Sequence, residues 1–149
     1  MSDAPRYSAE HVLRYDYRRS LGPVLARFFT ELRDQKILGT QAPDGRVFVP
    51  PVEYDPETGE ALDELIEVGP AGTVTSWAWV HEPRAQHPFD RPFAWALIQL
   101  DGATTSLVHA VDADGPEAMK TGMRVKPRWS AERIGQIRDI ECFEPEAAS

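Results

Sequence analysis

The chain has 149 residues, 42% of them hydrophobic and 27% charged, the composition of an ordinary globular protein and not of a disordered one. That length suits one domain with an appendage, burying roughly 70% of its unfolded surface. A formal net charge of -8 counts against a polyanion as main partner, because nucleic-acid affinity comes largely from Lys and Arg neutralising phosphates. No segment has the length of an apolar membrane span. The opening residues, Met1 to Tyr7, lack the apolar run of a signal peptide, so a cytoplasmic location is expected. Cys142, the single cysteine, excludes an internal disulfide or a thiolate cluster within one chain and reads as a small buried hydrophobe.

In chain order, residues 1–13 carry few packing signals and read as a loosely held tail. Tyr15-Asp16-Tyr17-Arg18-Arg19 alternates aromatic with charged residues, as an extended segment does when its Tyr faces lie on a surface. Gly22-Pro23 follows, with Pro23 suited to the first helical position, where its missing N–H costs nothing. Val24, Leu25, Phe28, Phe29 and Leu32 then recur at helical spacing over about three turns, and Gly39 is the expected terminator. Phe28 and Phe29 read either as core or as contact with another chain; aromatics beside Arg are what interface hot spots favour. Charge is uneven. Arg14, Arg18, Arg19, Arg27, Arg33 and Lys36 crowd the first third, whereas residues 52–68 hold Glu53, Asp55, Glu57, Glu60, Asp63, Glu64 and Glu67 with no Lys or Arg. Two solvated faces are the plain reading, a docking surface the sharper one.

From residue 37 to 59, turns punctuate the chain. Pro43-Asp44-Gly45 is a turn in which Pro sets φ and Gly takes the left-handed position, residues 46–49 form a short strand, and Pro50-Pro51 stop it. Asp55-Pro56-Glu57-Thr58-Gly59 repeats the chemistry. Two such turns around a short strand have the layout of a zinc-knuckle pair without ligands.

Residues 72–111 read as three strands rich in β-branched and aromatic residues, with Asp101-Gly102 as a tight type I′ hairpin turn. Simple alternation puts Trp77 and Trp79 on one face and Val74, Ala78 and Val80 on the other. Both faces of the next run are apolar as well, which favours a closed, curved sheet covered from outside. Asp112 to Pro116 lacks the ligand set of a calcium loop. It reads as a loop before a helical turn at residues 117–120. Residues 124–129 and 138–143 supply two more strands, Pro127 marking an edge or bulge. Five strands agree with a Greek-key OB barrel.

The chain resembles the acyl-CoA-associated OB-fold family long catalogued as domain of unknown function thirty-five. The resemblance runs through Phe28-Phe29, Ile37-Leu38-Gly39, residues 45–51, residues 72–77, residues 92–102, residues 122–125 and Phe143-Glu144-Pro145. It implies a mainly β fold in three parts: an N-terminal tail and helix (1–36), a rubredoxin-like ribbon (37–68) and an OB barrel (69–149). It also implies a departure. The family's zinc-binding Cys pairs fall on Gln41 and Asp44, and on Asp55 and Thr58. These could offer only hard oxygen, poorly suited to a thiolate-rich site, so no zinc and no other cofactor is expected. Turn prolines, Asx hydrogen bonds from Asp44 and Asp55, and packing of Val47, Phe48 and Tyr54 would have to hold the knuckles.

No phosphate loop, nucleophile elbow or Cys–His pairing is visible, and His81, His87 and His109, with Glu82, lack the spacing of a helical metal site. Catalysis by this chain alone is not expected. The resemblance implies a companion of a thiolase-like or lipid-transfer-protein-like enzyme, in a 2+2 assembly acting on acyl-CoA by condensation, thiolysis or retro-aldol cleavage, steroid side chains included. Tyr15, Tyr17, Arg18, Arg19, Phe28 and Phe29 are the candidate partner-binding residues. A single-stranded nucleic-acid binder stacking bases on Trp77, Trp79 and Trp95 is one alternative, opposed by charge. A stand-alone acyl-CoA module, with His81, Arg84, His87 and Arg91 as ligand contacts, is the other.

Overall fold

The computed structural model describes residues 6–147. The opening stretch Met1–Pro5, part of the expected tail, lies outside the described residues. Residues 6–21 form no regular element, and then α1 (Gly22–Leu32) begins with Pro23 in its first turn. Val24, Phe28 and Leu32 form the buried stripe of α1, at the spacing one helix face requires. The helix does not run to Gly39. Gln35 takes the left-handed conformation (φ 60°), its N–H donating to the Leu32 carbonyl and that of Lys36 to the Glu31 carbonyl. This pair of bonds closes the last turn as a Schellman motif, with Gln where Gly is usual.

Gly39 lies instead within β1 (Ile37–Gln41), where a Cβ would come 2.7 Å from Val47 and 2.9 Å from Val49. β1 is the middle strand of a three-stranded antiparallel sheet, between β2 (Val47–Phe48) and β3 (Leu65–Val68). The sheet is tied to the second half of the chain. Thr104 and Thr105 accept the N–H groups of Val47 and Val49 at 2.9 and 2.8 Å, and the N–H of Thr104 donates to the Val47 carbonyl. Phe28, Leu32, Ile37, Val47, Val49 and Val68 accordingly share one core with Val74, Ile98, Leu100, Val111 and Phe143.

β4 (Gly72–Val80), β5 (Phe93–Leu100), β6 (Leu107–Val111), β7 (Arg124–Trp129) and β8 (Ile140–Pro145) close into a barrel in the order β4-β5-β6-β8-β7, with β7 returning to β4. This is the expected mainly β, five-stranded OB barrel preceded by a helix. Three local expectations are corrected. A bulge between Val74 and Ser76 shifts the register, so Val74, Trp77 and Trp79 all face the core, and simple alternation misassigns Val74. The Asp101-Gly102 turn is not type I′, since only Gly102 has positive φ (89°), and the strand resumes only at Leu107 because Thr104 and Thr105 are bonded to β2. The outer face is covered only in part. Phe93 is sealed under the 81–92 loop, while Leu97 and Val108 are exposed.

Short 3₁₀ turns at Pro116–Ala118 and Ile137–Asp139 precede β7 and β8. The buried Asp139 carboxylate fixes the second of these by accepting the N–H groups of Ile134 and Gly135 at 3.0 and 2.7 Å. Among the described residues no helix is long and apolar enough to cross a membrane.

Candidate functional site

The first candidate surface is the segment before α1. Tyr15 and Tyr17 are 82% and 80% exposed, and Tyr7, Val12 and Leu13 are exposed with them. Water solvates large apolar side chains that a folded body would ordinarily cover. Arg18 and Arg19 are exposed beside the tyrosines. The two phenylalanines of α1 part company. Phe28 is 1% exposed and belongs to the core, so it offers no surface to a partner. Phe29 is half-buried and meets Phe28 edge-on with ring centres 5.2 Å apart.

The second feature is the pair of turns at residues 42–45 and 55–59. Both close as hairpins: the N–H of Gly45 donates to the Ala42 carbonyl, and that of Gly59 to the Asp55 carbonyl. Gln41 ends β1, and Thr58 caps its own turn by accepting the Glu60 N–H. Between the turns lies a side chain to which the sequence pattern assigns no role. Arg46 reaches Asp44 with Nε and the buried Asp55 with Nη2, each at 2.6 Å, and Glu57 lies 3.2 Å from Nη1. The Asp55 carboxylate also accepts the Glu57 N–H at 2.8 Å, an Asx turn, and the Arg46 guanidinium stands over the Phe48 ring. Hydrogen bonds from the Arg46 N–H and side chain hold the Asp44 carboxyl below its ordinary range. The signal in sequence is one Arg two residues after Asp44 and nine before Asp55.

The third feature is the barrel wall beside the 81–92 loop. His87 accepts the Arg84 N–H on Nδ1 at 3.1 Å and meets Phe93 and Trp95 edge-on, so it helps to fold the loop back over β5. Arg91 stacks on Phe89 and forms a forked ion pair with Asp112, which also holds Arg128. His81 and Arg84 are exposed nearby. Arg91 is therefore engaged within the chain, and the four residues do not converge on one pocket. A hollow of about 390 Å³ does open next to them, lined by Pro88, Trp95, Val108, His109, Ile137 and Arg138 among others. It lies where β6 and β8 diverge, since the two strands pair only at Val111 and Phe143. A second hollow of about 200 Å³ adjoins it, sharing Trp95 and Val108 and adding Ala78 and Leu97.

His109 is buried, with its ring against Phe143 and Nδ1 accepting the Ala110 N–H at 2.9 Å. Burial lowers its pKa, so the neutral imidazole is favoured. Cys142 is buried, and desolvation pushes its thiol up to about 12, leaving it inert as a nucleophile near neutral pH. Trp77 and Trp79, half-buried, pack against the core, and Trp95, also half-buried, lies on the outer face.

Residues 65–130 match the family model of the C-terminal OB-fold domain of ChsH2. A DUF35 domain-containing scaffold protein of Pyrococcus furiosus is 25% identical over 103 residues, 68% of this chain and 75% of the relative. Among solved structures, the Ltp2-ChsH2(DUF35) aldolase superposes with a TM-score of 0.61 at 22% identity, over 89% of this chain and 98% of that one. A DUF35 protein of unknown function from Sulfolobus solfataricus gives 0.58 at 24% identity, over 72% and 77%. Both likenesses are of fold.

Proposed function

We propose that the chain is a member of the DUF35 OB-fold family, which its residues 65–130 resemble, and that it is a non-catalytic accessory subunit of an enzyme complex acting on acyl-CoA. Its partner is a thiolase-superfamily enzyme of the lipid-transfer-protein type, bound two copies on two. The reaction is the partner's: condensation, thiolysis or retro-aldol cleavage of a CoA thioester, with steroid side-chain thioesters as one substrate class. The observation that carries this reading is the exposed segment before α1. Tyr15, Tyr17, Arg18 and Arg19 stand in water without packing on their own body, and aromatic and Arg side chains are the groups that gain most from burial at an interface.

The names of the similar proteins support the reading, one being an aldolase complex and another a scaffold protein. The chemistry of the chain favours it too, because Cys142 is inert and Arg91 is tied to Asp112. Single-stranded nucleic-acid binding is disfavoured by the net charge of -8. The test is to express a thiolase-superfamily enzyme of the lipid-transfer-protein type from the same organism with and without this chain. Soluble, active enzyme only in its presence supports the proposal; full activity in its absence refutes it.

A further inference from the structure

We propose that the paired hollows on the barrel wall are a second docking surface, and that their occupant is an amphipathic segment of the partner enzyme, an apolar side chain seated on Trp95 and Val108 with carboxylates against Arg138. This rests on the accessory-subunit reading and adds to it a site distinct from the segment before α1. Outward positions of an antiparallel sheet that meets water are ordinarily polar. Here they are not. Ala78 stands opposite Trp95, and Leu97 opposite Val108, so three neighbouring strands present one apolar strip. Val108 is 59% exposed and Leu97 39%. The strip is indented by the two hollows, and an aromatic-lined pocket is where an interface anchor binds.

Charge narrows the occupant. Arg138 lines the larger hollow and, with His87, a further hollow alongside it. It has no ion pair among the described residues, and the one carboxylate at the rim, Glu141, is already held by Arg128 at 2.6 Å. A free guanidinium beside an apolar strip complements a carboxylate on the docking segment, a local attraction that works against the chain's net charge of -8. A second copy of this chain fits poorly, because a two-fold contact would set each Arg138 rim against the same rim of its mate. An acyl chain threaded through the barrel fits poorly as well, since the interior is filled by Val74, Ile98, Val111, Val125 and Phe143.

The test measures binding of a purified thiolase-superfamily enzyme of the lipid-transfer-protein type from the same organism to the unaltered chain and to Val108→Asp and Arg138→Glu, both at exposed positions, with circular dichroism as folding control. Val108→Asp is expected to weaken binding at least tenfold, and Arg138→Glu to weaken it and flatten its salt dependence. Hydrogen exchange on the unaltered complex is expected to slow at residues 95–98 and 107–110 and stands independently of how the variants fold. Unchanged affinity in both variants, or no protection there, overturns this proposal while leaving the accessory-subunit reading intact. No complex from the unaltered chain removes both. Dimers of the chain that Val108→Asp dissolves, or octanoyl-CoA quenching Trp95 fluorescence in the absence of protein partner, would show a different occupant and overturn it.

Discussion

The guanidinium of Arg46 lies 2.6 Å from the carboxylate of Asp55 and joins two hairpin turns, at residues 42–45 and 55–59. Asp55 is 4% exposed, so its charge is held by this ion pair together with the N–H groups of Glu57 and Thr58. Removing it therefore loosens both turns. Asp55→Ala is expected to lower the unfolding free energy by about 2–3 kcal/mol, the range for losing hydrogen bonds to a charged group. Arg46→Met should destabilise in the same direction, and a double-mutant cycle in urea should show the two changes to be strongly non-additive. Additive effects would mean that the two turns are held independently.

The same geometry bears on metal. A cation at the two turns would share the space with Arg46, whose positive charge already lies among Asp44, Asp55 and Glu57. Elemental analysis of the purified protein is expected to find well under one zinc per chain. A stoichiometric, tightly held zinc would contradict this.

Much of the barrel is legible in the sequence because its strands are long and its turns carry Gly, as at residues 72–80, 93–100 and 124–129. What escapes is set by contacts distant in sequence. The bulge before Ser76 moves Val74 onto the face of Trp77 and Trp79, and no local period encodes that. β3 is four residues in an acidic run and exists because β1 pairs with it. Gly39 looks like a helix stop, yet the helix closes on Gln35 and Gly39 serves the close approach of β2. Of the candidate partner residues, Tyr15, Tyr17, Arg18 and Arg19 are placed at the surface, and Phe28 is not. Adjacent phenylalanines on a helix differ by about 100° in direction, and only the packing of α1 on β1 and the Ile137–Asp139 turn shows which one is enclosed.

His109 gives the fold a pH dependence of defined sign. Its folded pKa lies below the ordinary 6.5 because burial disfavours the imidazolium. Between that lowered value and 6.5 the unfolded chain binds more protons than the folded one. Stability from this residue is thus complete above 6.5 and is lost as pH falls through the folded value. Urea denaturation between about pH 7.5 and pH 5 should show falling stability in the unaltered chain and a flatter profile in His109→Gln. Asp44, Asp101 and Asp112 titrate below 3.8 and leave this window to other groups. Equal slopes in the two proteins would contradict the assignment.

The segment before α1 and the core of α1 should separate under mutation. Charge reversal of Arg18 and Arg19, with Tyr15→Ala and Tyr17→Ala, is expected to leave the melting temperature unchanged and to weaken the complex with the enzyme at least tenfold. Phe28→Ala, in contrast, should cost about 3–5 kcal/mol of stability, as truncating a buried Phe does. Calorimetry for folding and surface plasmon resonance for binding distinguish the two. A destabilised surface variant, or a fully stable Phe28→Ala, would reverse the assignment.

An accessory subunit is expected to work as one half of a hetero-complex. Light scattering on the size-exclusion peak of the chain co-expressed with a thiolase-superfamily enzyme of the lipid-transfer-protein type from the same organism measures its mass. A single species whose mass equals two copies of each subunit is expected. A chain that elutes alone at 16.7 kDa, beside an enzyme that is intact and active without it, would rule the hetero-complex out.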